Sequence, residues 1–224
     1  MNQKGSKTGT GCALSAAMLL VFFLALAMGL YVRSGRELPR EPAFQLTAPL
    51  ELASLPTAAR FDFPIGSEHG AFAYNAQPFT ENRHLGDDLN GIGGENSDLG
   101  DPVFAVADGR VLFAGEGGPG WGNIVIILHA LQENGARRYV QSYYAHLQNI
   151  LVTPRRDVLR GDQIGTIGTA NGRYLAHLHF EMREFITPFV GLGYREDTRG
   201  WLNPTEFIEQ HRGAPDDDVG RPTR

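Results

Sequence analysis

Cysteine is nearly absent. Cys12 stands alone among 224 residues, so neither an internal disulfide nor a thiolate-based zinc site can form. Surplus positive charge is also missing. The formal net charge is −5 and the lysines and arginines are scattered, which leaves no basic footprint for nucleic acid. Beyond residue 40 no long segment keeps a helical period, and neither glycine nor proline recurs periodically. What the chain does hold is 28 glycines and 13 prolines, spread as tight turns between short strands require. Its length allows one ordinary domain plus extras.

The first 40 residues stand apart. Lys4 and Lys7 precede an uncharged apolar run, residues 12–32, which Arg33 ends. At a helical rise of roughly 1.5 Å per residue the run is about 30 Å long, enough to cross a bilayer. Residues 1–40 are therefore expected to form a cytoplasmic tail plus a signal anchor. Ala25-Leu26-Ala27 is an acceptable cleavage site, so a removed signal is the alternative. A lipoprotein reading fails, because Cys12 stands at the start of the apolar run and follows Gly9-Thr10-Gly11 rather than apolar residues. Residues 41–60 read as a linker, with a short edge strand around 44–47. The folded domain is expected over 61–210, and 211–224, with Asp216-Asp217-Asp218, as a disordered tail.

Within the domain the signals are strands: Val103–Ala107, Gly109–Ala114, Asn123–His129, Tyr139–His146, Gln163–Ile167 and Leu178–Arg183. One short helix is expected at Pro204–Gln210, capped by Asn203. The connections are too short for parallel crossovers, so the fold class is mostly β, antiparallel.

Three stretches could carry chemistry. In Leu175-Ala176-His177-Leu178-His179-Phe180-Glu181 the strand period of two puts His177, His179 and Glu181 on one face and Leu178 and Phe180 in a core. In His84-Leu85-Gly86-Asp87-Asp88 an extended chain turns His84 and Asp88 the same way and Asp87 the other. Ser142-Tyr143-Tyr144-Ala145-His146-Leu147 reads as a buried strand with a histidine at its exit. Each alone also fits surface or core histidines. Together they exceed the three protein ligands of a catalytic zinc site. His69, His129 and His211 fit less well: a loop, a strand end and the edge of the tail.

These stretches resemble, in order, the motifs of the M23 family of zinc metallopeptidases, the lysostaphin and LytM-type peptidoglycan endopeptidases. Gly100-Asp101-Pro102-Val103, Gly120-Trp121-Gly122-Asn123 and Arg160-Gly161-Asp162-Gln163-Ile164-Gly165 between them are family-like too, and the likeness runs from about Phe61 to Phe207. The resemblance implies that His84, Asp88 and His179 hold one Zn2+ per chain. His146 and His177 then stay unligated and transfer protons as the catalytic pair. Tyr74 is a candidate for the oxyanion, and Glu181 for orienting a ligand, a plain surface carboxylate being the alternative. The implied activity is hydrolysis of peptide cross-links of bacterial peptidoglycan in the cell envelope. A silent domain that binds peptidoglycan or activates a cell-wall amidase is the second possibility. The bond cut is open between a D-Ala–diaminopimelate cross-link and a glycyl bridge. Bare backbone around Gly91–Gly94 and Gly117–Gly120 leaves room for an extended peptide. Two departures stand out: a lengthened loop from Asn90 to Leu99, and no recognisable wall-binding module.

Overall fold

A computed structural model describes residues 18–19, 21–26, 49–67, 70–184 and 190–213. The chain divides into an amino-terminal unit, Met1–Pro42, and a larger one, Ala43–Arg224. In the first unit the described residues, 18–19 and 21–26, are helical. Among the described residues no helix is long and apolar enough to cross a membrane. Most of the 12–32 run, the strand expected at 44–47, His69 and the tail beyond 213 lie outside them.

The larger unit is built on an antiparallel sheet. Its strands are β1 (Ala73–Gln77), β2 (Asp87–Gly91), β4 (Gly109–Glu116), β5 (Asn123–Glu133), β6 (Ala136–Leu147), β8 (Asp157–Val158), β10 (Leu178–Arg183) and β11 (Trp201–Leu202). They run in the order β1-β2-β10-β6-β5-β4-β8, with β11 paired to β10. A small second sheet, β3-β9-β7, is made of Pro102–Phe104, Gln163–Thr166 and Asn149–Ile150. Among the described residues, two α-helices, α1 (Pro49–Ala53) and α2 (Pro204–His211), and a 3-10 turn at Glu81–Arg83 complete it. Asn203 caps α2 as expected, its side chain accepting from the Glu206 amide, with proline in the first turn.

Alternation explains the layering. Val125, Ile127, Val140, Tyr144, Leu178, Phe180 and Met182 face the main core, while Ile124, Ile126, Tyr143 and Ala145 point to the other face and join Trp121 in a second cluster. The β5–β6 hairpin turns at Asn134-Gly135, both at positive φ, a combination that suits tight hairpin turns. It extends β5 past His129, which is therefore mid-strand and buried rather than at a strand end. Part of the segment expected as linker also packs: Leu55 lies against Leu128 and Ala130, and Ala58 joins the main core.

Candidate metal centre

The centre of the site is β10, flanked by β2 and β6. Its His179 is directly opposite Asp88 on one side and Ala145 on the other. Residues directly opposite in an antiparallel ladder share a face, so the His179 and Asp88 side chains meet. His84 lies outside the ladder. A tight turn in which Thr80, Asn82 and Arg83 all have positive φ delivers it, and the segment after the 190 region holds it. The Leu85 amide donates to the Gly193 carbonyl at 2.9 Å, and the Arg195 amide to that of Arg83 at 2.8 Å. Left-handed residues other than glycine are strained, and such strain concentrates at functional sites.

Three donor atoms converge. His84 Nε2 is 2.9 Å from His179 Nδ1 and 3.2 Å from Asp88 Oδ1, and the last two atoms are 3.0 Å apart. Tetrahedral zinc with bonds of about 2.0–2.1 Å sets its ligand atoms roughly 3.3 Å apart, so this triangle is close to the size a zinc ion needs. The proton positions agree. His84 donates Nδ1–H to the Gln77 carbonyl at 3.1 Å, and His179 donates Nε2–H to Glu181 Oε1 at 3.0 Å. Each inner nitrogen therefore presents a lone pair, and two lone pairs 2.9 Å apart beside a carboxylate require a cation between them. Without a metal that cation is a proton: burial lowers the His179 pKa, but the hydrogen bonds to Asp88 and Glu181 lift it to about 9. Burial would raise Asp88, yet His179 and His84 hold it well below the usual carboxylate range. Among the described residues, His84, Asp88 and His179 form a group able to hold a metal ion.

His146 and His177 border this triangle without belonging to it. The His146 ring centroid is 4.7 Å from that of His177 and 5.5 Å from that of His179, and His177 Nε2 is 3.6 Å from Asp88 Oδ1. Each donates Nδ1–H to a backbone carbonyl, His146 to Trp121 at 3.1 Å and His177 to Leu175 at 2.8 Å, which leaves Nε2 able to accept a proton. Burial, then the neighbouring His179 and His177, pushes His146 down to about 3, so it is neutral at physiological pH. A register shift in the β5–β6 ladder at Asn123/Val125 and a φ of 65° at His146 turn its ring out of the strand's alternation. The lengthened loop also has a structural role. Asn96 Oδ1 accepts from the Ala176 amide at 2.7 Å, and Asn90 Nδ2 donates to the Ala176 carbonyl at 3.1 Å. The loop thus clamps the residue before His177.

The other expected residues divide. Glu181 is fully buried rather than on the surface. It accepts from His179, from Arg183 Nε at 2.7 Å and from Trp201 Nε1 at 2.9 Å, so it fixes the ring that meets the metal. Arg183 is buried with it, stacked 3.7 Å from the Tyr143 ring. Asp87 turns away from the donors. It is buried, and it accepts from the Phe79 amide and from the Thr205 amide and hydroxyl, joining β2 to the start of α2. Tyr74 is half exposed on β1 and lines a cavity with Phe63, Ile65 and Leu89 that none of the three donors borders. Two tyrosines absent from the sequence reasoning lie nearer. The Tyr194 ring is 5.1 Å from His84, and the Tyr174 ring is 5.0 Å from His146. Nothing local marks them, since Tyr194 meets His84 from 110 residues away. His129 hydrogen-bonds Ser142 in the core and His211 pairs with Glu133 at the end of α2, both away from the donors.

Comparison with known proteins matches residues 89–190 to Peptidase family M23. That span holds His146, His177 and His179 and stops just short of Asp88. The chain is 36% identical over 140 residues to the cell division protein DipM of Caulobacter vibrioides, covering 60% of this chain and 21% of that protein. It is 38% identical over 84 residues to lipoprotein NlpD of Yersinia enterocolitica, 38% of this chain and 78% of that protein. The same identity and length relate it to the murein hydrolase activator NlpD of Escherichia coli K12, of which 20% is covered. The match thus spans about a fifth of two of these relatives and most of the third.

Proposed function

This chain belongs to peptidase family M23, and on that premise we propose that it is a zinc-dependent endopeptidase of the bacterial cell envelope, hydrolysing peptide cross-links of peptidoglycan. One observation carries the reading: the closed triangle of His84, Asp88 and His179, with every remaining ring proton already committed to a protein acceptor. Two neutral imidazoles and one carboxylate leave a bound divalent ion a net charge of about +1. Such an ion supplies Lewis acidity towards a peptide carbonyl and a water molecule.

The chain's own residues supply the rest. Asp88 and the two ligating histidines fix where the reacting carbonyl must lie. His146 and His177, each with Nδ1–H committed to a backbone carbonyl and Nε2 left to accept, take the proton of the attacking water and return one to the departing amine. Such transfers contribute roughly 10²–10⁴-fold. Glu181, held by Arg183 and Trp201, keeps the His179 tautomer that leaves Nδ1 for the ion. Location outside the cytoplasmic membrane is supported by the apolar run at 12–32, acting as anchor or as cleaved signal. The folded domain over about 61–210 carries the activity.

A second reading, a domain that activates another wall hydrolase without cutting bonds, draws on the printed name of the E. coli relative. A purely binding domain has no need of three converging donors backed by a buried Glu–Arg pair, which favours the enzyme. The experiment is metal analysis of the purified full chain together with its product pattern on isolated peptidoglycan. About one zinc per chain and new amino termini at cross-links are expected, with zinc lowered in each of His84→Ala, Asp88→Ala and His179→Ala. A zinc-loaded protein that releases nothing from peptidoglycan alone, yet stimulates an added amidase, would establish the second reading instead.

A further inference from the structure

The lengthened loop between β2 and β3 carries charge of one sign. From residue 90 to residue 101 it holds Glu95, Asp98 and Asp101 and no lysine, arginine or histidine. The chain winds through three successive turns. The Ser97 amide donates to the Gly94 carbonyl at 3.1 Å, the Leu99 amide to that of Asn96 at 3.1 Å, and the Asp101 amide to that of Asp98 at 2.9 Å. Its end is pinned to the residue after β9: the Gly100 amide donates to the Ile167 carbonyl at 2.9 Å, and the Ile167 amide to that of Asp101 at 2.8 Å. Ser97 and Leu99 are exposed, and between them Asp98 is turned inward, only 2% exposed.

The protein itself satisfies only half of that buried carboxylate. Asp98 Oδ2 accepts from the Gly91 amide at 3.0 Å, while Oδ1, equally out of reach of solvent, has no hydrogen-bond partner. Among the described residues no cationic side chain pairs with Asp98. Burying a carboxylate away from both water and positive charge is costly, so the unpartnered oxygen calls for a partner from outside the chain. Asp101 brings a second carboxylate to the same place. A Cβ on Gly91 would lie 3.2 Å from Asp98 Cβ and 3.9 Å from Oδ2 of both aspartates, and the bare backbone there leaves them room. With neither imidazole nor thiolate in the loop, its donors are oxygens, which suit a hard cation such as calcium better than zinc.

We propose that this loop is a calcium site, with Asp98 Oδ1 and the Asp101 carboxylate as its charged ligands. Loop carbonyls and water complete the roughly six to eight oxygens that calcium takes. Two carboxylates offset the charge of the ion. The site shares no residue with the zinc triangle, and its binding of calcium stands whether or not the chain cuts peptides. Its consequence for the chemistry does rest on the peptidase reading. Asn90 and Asn96, which hold the carbonyl and the amide of Ala176, belong to the same loop, so an ion at Asp98 stiffens the clamp one residue before His177. With so few charged ligands the affinity falls in the range of extracellular calcium modules, about 10⁻⁴–10⁻³ M, which fits a domain outside the membrane.

The test is calorimetric titration of calcium chloride into the zinc-loaded full chain in calcium-free buffer, with melting temperature and peptidoglycan hydrolysis on the same preparations. One calcium per chain is expected, with a Kd of about 10⁻⁴–10⁻³ M and a melting temperature about 3–10 °C higher at about 10 mM calcium. Magnesium, which gives up its waters reluctantly, should produce neither effect. Asp98→Asn keeps the shape and should abolish both, with zinc still near one per chain. Asp101→Asn, at an exposed position that folding tolerates, should weaken calcium about tenfold or more and decides the matter if Asp98→Asn does not fold. No calcium heat in the parent, an equal shift with magnesium, or parent-like calcium binding in either folded variant would overturn the site and leave the peptidase reading intact. Calcium should also raise kcat with little change in KM, through the clamp before His177. Calcium binding with an unchanged kcat would keep the site and overturn its hold on His177, whereas calcium binding with no hydrolysis at all would overturn the peptidase reading alone.

Discussion

His129 gives the clearest pH signature of any single residue. Its ring is buried in β5, with Nδ1 on the Asp108 carbonyl at 2.9 Å and Nε2 on Ser142 Oγ at 2.7 Å, and burial pushes its pKa down to about 4. The unfolded chain takes up this proton near pH 6.5 and the folded chain only near 4. Between those values the unfolded state binds more protons, so stability is full above pH 6.5 and declines as pH falls towards 4. The loss is about 3 kcal/mol for a window of that width. Urea unfolding at pH 7 and pH 4.5 should show a steeper loss in the parent than in His129→Gln; equal slopes would count against the buried neutral ring. Glu181 is legible differently. Glu181→Gln keeps the shape but weakens the acceptor on His179, and zinc affinity measured against a competing chelator should fall about 10–100-fold. An unchanged affinity would show that Glu181 serves only Arg183 and Trp201.

At the scale of elements, the β2–β10 ladder is what makes the donors meet. Gly86 sits where a Cβ would lie 2.5 Å from the Phe180 carbonyl oxygen and 2.9 Å from Glu181 Cγ, so Gly86→Ala must move β2 away from β10. Asp87→Ala next to it removes no donor, but it strips the Phe79 and Thr205 amides of their acceptor, at a cost of about 1–3 kcal/mol. Zinc stoichiometry and melting temperature on both variants should separate the two roles: Gly86→Ala loses zinc, while Asp87→Ala melts lower yet binds one zinc per folded chain. Loss of zinc from folded Asp87→Ala would make it a ligand after all. The alternation in 175–183 was readable because the strand period acts within a few residues, and the Asn203–Pro204 start of α2 was readable for the same reason. The ring of His146 was not, since a register shift and a positive φ set its direction. Nor was the Asn90–Asn96 clamp on Ala176, or the approach of Tyr194 to His84. Such contacts are formed by tertiary packing across 80 or more residues and leave no periodic trace. The strand end assigned to His129 missed because β5 continues through Ala130 and Leu131 into a long hairpin.

On the scale of the whole molecule, the proposal places a metal-dependent domain outside the membrane, behind the apolar run at 12–32. In intact spheroplasts, added protease should reach the domain, and mass spectrometry of the mature amino terminus should distinguish anchor from cleaved signal. A domain protected from protease would rule that topology out. The central claim is narrower: three side chains hold the ion and two others move the protons. The most direct measurement is zinc content and cross-link hydrolysis on one preparation of His146→Ala, with melting temperature as the check on folding. The expected result is a folded protein with close to one zinc per chain, hydrolysing cross-links roughly 10²–10⁴-fold more slowly than the parent. A folded, zinc-loaded His146→Ala protein that cuts at the parent's rate would contradict it.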